Sequence, residues 1–114
     1  MEMNHIENLI NEWKDAVDKV ISFEEIGTAK LKLLFAQTFE VLSEYKDDAL
    51  IPKQIGELIF EMNDFSWWVS GLNETPLNEY SSYVVTIVLG YKRYFFVGDY
   101  DKEEVEEALE IIRG

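Results

Sequence analysis

Apolar residues recur at helical spacing through the opening segment, as Ile6, Leu9, Ile10, Trp13, Val17, Val20 and Ile21. This spacing predicts an amphipathic helix from about Asn4 to Ile21, capped by Asn4 with Glu7 reaching back, and with Asp15 and Lys19 paired on its wet face. Ser22-Phe23-Glu24-Glu25 repeats a capping-box pattern, and Gly27-Thr28 interrupts or restarts the helix it would open. Leu31, Leu34, Phe35, Thr38, Leu42 and Tyr45 then form a stripe that Leu33, Phe39 and Val41 widen. A stripe so broad predicts a helix touched on more than one side, ending near Lys46-Asp47-Asp48. Pro52 suits the first turn of a third helix, with Ile55, Leu58, Ile59 and Met62 inward. Gly56 weakens that helix by roughly 1 kcal/mol relative to alanine.

Beyond it the pattern becomes ambiguous. Phe65 to Ser70 continues the helical face through Phe65, Val69 and Leu72, yet also reads as a short third strand. Gly71 to Asn78 has the composition of a loop. The β-branched run Tyr83 to Leu89, followed by Gly90-Tyr91-Lys92-Arg93 and Tyr94 to Val97, predicts a β-hairpin from Tyr83 to Gly98 that turns at Gly90 to Arg93. Tyr80, Val84, Ile87, Val88 and Tyr91 also fit a helix, which β-branched propensity disfavours. Asp101 and Glu104 cap a closing helix with Val105, Ala108, Leu109 and Ile112 inward. The expected fold is α+β, with two to three helices, a hairpin and a C-terminal helix; the alternative is an all-α bundle. A strand-turn-strand-helix layout is common to many unrelated proteins and names no family.

Composition narrows the class more than the function. A chain of 114 residues is the size of one domain, taken here as 1–114, and 47% hydrophobic content argues against disorder. The absence of cysteine excludes disulfides and thiolate chemistry and suits a reducing cytoplasm. No signal peptide is visible at the acidic start, and Val84 to Leu89 is too short to cross a bilayer. The glycosylation sequon Asn73-Glu74-Thr75 is therefore expected to be accidental. A net charge of −13 repels phosphate backbones and anionic lipids, so nucleic acid and membranes are not expected partners, whereas a basic protein is.

Catalytic chemistry finds little to stand on. His5 is the only histidine, with no orienting group beside it in sequence. Asp99, Asp101, Glu103 and Glu110 imitate a calcium loop, but Glu104 occupies its glycine position; no metal site is expected, and capping explains these acids. The glycines are isolated, so no phosphate loop and no cofactor are implied. The pairs Glu57/Glu61 and Glu103/Glu107 could do acid–base work only if an apolar pocket split their pKa values.

Distribution is more informative. From Gln54 through Tyr91 no lysine or arginine occurs, while Glu57, Glu61, Asp64, Glu74 and Glu79 do, and aromatic residues concentrate from Phe60 to Tyr100. Adjacent Trp67 and Trp68 cannot both point into one core, and Tyr80, Tyr83, Tyr91, Tyr94 and Tyr100 are many to bury. The expected recognition surface is Glu57, Glu61, Asp64, Trp67, Trp68, Tyr80 and Tyr83, aromatics anchoring and acids steering. This reading is a non-catalytic acidic module for a basic protein, in its concrete form an inhibitor or immunity protein masking a nuclease-like surface. The alternatives are a structural homo-oligomer, with a homodimer as its simplest form, and a small enzyme using paired carboxylates.

Overall fold

The computed structural model describes residues 3–72 and 77–113. The helices are α1 (Met3–Ile21), α2 (Thr28–Tyr45), α3 (Lys53–Gly71), α4 (Ser81–Phe96) and α5 (Lys102–Arg113), with a 3-10 turn at Asn78–Tyr80. There is no strand among the described residues. The fold is all-helical, so the α+β expectation is corrected to its bundle alternative, and both the hairpin and the third strand disappear. Asn73 to Pro76, which include the sequon and Glu74, lie outside the described residues.

The hairpin fails because of where its apolar residues point. In α4, Val84, Ile87, Val88, Tyr91 and Phe95 share one buried stripe. As a strand, the same run would place Val84, Thr86 and Val88 on one face and Val85, Ile87 and Leu89 on the other, so both faces would need cover. A helix needs cover along one stripe only. Helix propensity charges roughly 2–3 kcal/mol for five consecutive β-branched residues. Burying Val84, Ile87 and Val88 returns about 1.5–3 kcal/mol for each. Gly90 is no turn either. It lies in the helix interior, where a Cβ would run into Val105 of α5. Ile55, Leu58, Met62, Phe65 and Val69 likewise keep Phe65 to Ser70 inside α3.

Other boundaries also move. Ser22-Phe23-Glu24-Glu25 closes α1 instead of opening a helix. The Phe23 amide donates to the Val20 carbonyl (3.1 Å) and the Glu24 amide to the Lys19 carbonyl (2.8 Å), the two bonds of a Schellman terminus. Phe23 takes the left-handed position with φ 58°, a place glycine usually holds. Asn4 lies within α1, and Gly27 precedes α2 without a side-chain cap. Pro52 stands one position ahead of α3. Asp101 does cap α5, its Oδ1 accepting the Glu104 amide at 3.0 Å.

The helices close a ring: α1 packs on α2 and α3, α3 on α4, α4 on α5, and α5 returns to α2. A chain of rings threads the interior, with Phe65 and Phe35 each about 5 Å from Trp13, and Tyr91 joining Phe35 to Phe39. Trp13 Nε1 donates to Thr38 Oγ1 (2.9 Å), and Thr38 donates to the Leu34 carbonyl (2.8 Å), so these buried polar groups are satisfied. Tyr94 and Tyr100 stack beside Phe39 at the edge of this chain, so part of the aromatic excess fills the core.

Candidate functional site

Because α4 sits between α3 and α5, its outer side and the outer side of α3 form one surface. Lys92 of α4 donates to Asn63 of α3 at 2.7 Å and marks where the two helices meet. On the α3 side Phe60 and Trp67 are 65% and 61% exposed. They sit seven residues apart, two helical turns, and so share one face. On the α4 side Val85, Leu89 and Phe96 form a second apolar row at helical spacing, Leu89 being 52% and Phe96 65% exposed. These five exposed apolar side chains lie on two helices that pack against each other, the arrangement in which an interaction surface is sought.

Carboxylates border both rows. Glu57 and Asp64 flank Phe60 and Trp67 along α3, Glu57 exposed and Asp64 half-buried. Beside α4, Asp101, Glu104 and Glu107 line the α5 side of a groove. Of the cations near this face, Lys92 is held by Asn63 and Arg93 pairs with Asp99 at 3.5 Å, while Lys53 is exposed beside Glu57 and Phe60 at the start of α3.

The predicted site residues are thus only partly brought together. Glu57, Asp64 and Trp67 share the outward face of α3. Trp68 is half-buried against the core and meets Trp67 edge-on, ring centroids 5.0 Å apart. Glu61 is turned away: it is 9% exposed and lies in the field of Lys14 and Asp18 of α1. Burial raises its pKa above the ordinary carboxylate value, Lys14 opposes that shift, and Asp64, Glu57 and Asp18 reinforce it. Tyr80 is half-buried against the core at the head of α4. Tyr83 lines the far end of the α4–α5 groove.

Phe60, Val85, Leu89 and Phe96 lie on this surface but were not among the predicted site residues, and Glu104 and Glu107, read from the sequence as a cap and as half of a carboxylate pair, join them. Phe60 was legible: it falls opposite Ile55, Leu58 and Met62 on a helical projection. Val85, Leu89 and Phe96 were hidden by the hairpin assignment.

As for chemistry, Glu103 and Glu107 are both exposed on α5, and the Glu57/Glu61 pair is split between solvent and the α1 interface. Among the described residues no group of three or more histidines, aspartates or glutamates is placed to hold a metal ion. No described helix is long and apolar enough to cross a membrane. The hollow beside the start of α3 is lined, among the described residues, by α3 alone. Comparison with protein-family models, with curated proteins and with solved structures finds no match.

Proposed function

We propose that the protein is a non-catalytic, acidic binding module that holds a basic protein partner against the outer face of α3 and α4. The observation that carries this reading is the double apolar row, Phe60 and Trp67 beside Val85, Leu89 and Phe96, bordered by Glu57 and Asp64. Aromatic anchors of this kind supply most of the binding energy in known interfaces, and the surrounding acids steer encounter and exclude wrong partners. The net charge of −13 extends the same field over the molecule and disfavours nucleic acid and anionic lipid as ligands. In its most concrete form the module is a dedicated inhibitor, covering the cationic surface of a nuclease-like protein in the cytoplasm.

Affinity capture tests this reading with the wild-type protein and a Phe60→Ser/Trp67→Ser variant, both checked for folding by circular dichroism. The wild type should retain a basic protein that the variant loses, and retention should weaken as salt rises. Equal retention by both proteins, or capture of acidic proteins alone, would contradict it. Dimerisation of the isolated wild type through these residues would instead support a homo-oligomer.

A further inference from the structure

The surface between α4 and α5 has a shape of its own. One hollow of about 240 Å³ is bounded by Val85, Leu89 and Arg93 of α4 and by Asp101 and Glu104 across from them. A second, of about 160 Å³, continues past Tyr83 to Glu107 and Ile111. Both are lined by Thr86 and Glu104, so they form one groove. Its floor is made of small or short side chains, Gly90, Val105 and Ala108, because α5 crosses α4 so closely that Gly90 has no room for a Cβ. From Asp101 to Ile111 the groove follows ten residues of helix, about 15 Å, which is close to three turns.

Its two walls differ in chemistry. The α4 wall is apolar at Val85 and Leu89, four residues apart, with Thr86 beside them and Arg93 at its end drawn to Asp99 at 3.5 Å. The α5 wall carries carboxylates three residues apart, at Asp101, Glu104 and Glu107. Neither Glu104 nor Glu107 has an ion-pair partner among the described residues, whereas the neighbouring Glu106 faces Lys102 at 3.9 Å. Both spacings are those of a helix surface, and a complementary ligand would repeat them.

We propose that this groove seats an amphipathic α-helix of the partner, with aliphatic side chains laid on Val85 and Leu89 and lysines or arginines facing Asp101, Glu104 and Glu107. The proposal rests on the partner-binding reading above and names the element the partner presents. Charge complementarity chooses a foreign basic helix over a second copy of this chain, whose own helices are mostly acidic on their wet faces. The acidic wall turns away phosphate-bearing ligands. An extended peptide would not repeat the three- and four-residue spacing of the walls.

The test uses a fluorescent 18-residue peptide with leucines on one helical face and lysines elsewhere, and a second peptide of identical composition in scrambled order. Binding anisotropy is measured with the full-length protein, with Glu104→Lys/Glu107→Lys, with Leu89→Ser, and with Glu24→Lys/Glu25→Lys, which changes net charge equally at two exposed positions after α1. The ordered peptide should bind the wild type about tenfold more tightly than the scrambled one, and the α5 charge reversal and Leu89→Ser should each remove about tenfold of that affinity. The Glu24/Glu25 reversal should change it less than about threefold. Scrambling without effect, or equal losses from both charge reversals, would reduce the interaction to bulk charge and overturn the proposal. So would a wild type that fails to bind the ordered peptide, or a groove occupied by a second copy in light scattering. A loss confined to the Glu24/Glu25 reversal would refute the groove while leaving the binding-module reading standing, because capture through Phe60 and Trp67 is measured separately.

Discussion

Phe23 and Glu61 each hold a position that their chemistry resists. A left-handed conformation costs an ordinary L-residue roughly 1–2 kcal/mol, and Phe23 recovers little of it by burial, since the residue is 53% exposed. Glycine would form the same Schellman bonds without that penalty, although it loses more freedom on folding. Phe23→Gly is therefore expected to stabilise the protein by about 0.5–1 kcal/mol, measured as an upward shift of the urea midpoint at unchanged slope. Glu61 works the other way. Its pKa is raised in the folded chain, so its contribution to stability is present below the ordinary value of 4.5 and is lost as pH rises through the folded value. Glu61→Gln should match the wild type in acid and become the more stable of the two towards neutral pH. Thermal unfolding of both proteins across that interval checks the sign, and a Gln variant less stable at neutral pH would show that Lys14 outweighs desolvation.

Helices whose apolar stripe is narrow and regular could be read from the sequence nearly to the residue. For α1 the spacing of Ile6, Leu9, Trp13, Val17 and Val20 sufficed, and for α5 the Asp101 cap gave the start. What sequence could not weigh was α4, where local preference and tertiary packing disagree. Its Val84 to Val88 run satisfies the strand rule, and Gly90 satisfies the turn rule. Both are overruled by neighbours far along the chain, Phe35 and Phe39 stacking on Tyr91 and Val105 pressing on Gly90. The candidate site suffered accordingly: its α3 half was visible as Glu57, Asp64 and Trp67, and its α4 half was not. Two substitutions test the helical account. Val85 is partly exposed, so Val85→Ala should stabilise by about 0.5 kcal/mol in a helix, where a strand would lose stability. Gly90→Ala gains propensity but drives a methyl group into the short, buried side chain of Val105, and a net loss of about 1 kcal/mol is expected, eased when Val105 is also shortened to alanine. Chemical denaturation of the four proteins, the wild type included, reads all of these effects.

At the scale of the whole molecule, the ring of helices leaves one broad side, α3 to α5, where large apolar groups meet water between rows of acids. The rest of the surface carries exposed apolar side chains too, Phe23 among them, and these provide an internal control. The most direct measurement is the dissociation constant for the captured basic protein, compared among wild type, Trp67→Ala and Phe23→Ala. Trp67 lies on the proposed face and Phe23 lies in the turn after α1, with similar exposure. Losing Trp67 should weaken binding by about 30-fold, equivalent to about 2 kcal/mol, while losing Phe23 should leave affinity within about twofold. Equal effects at the two positions, or an unchanged constant for Trp67→Ala, would contradict the account.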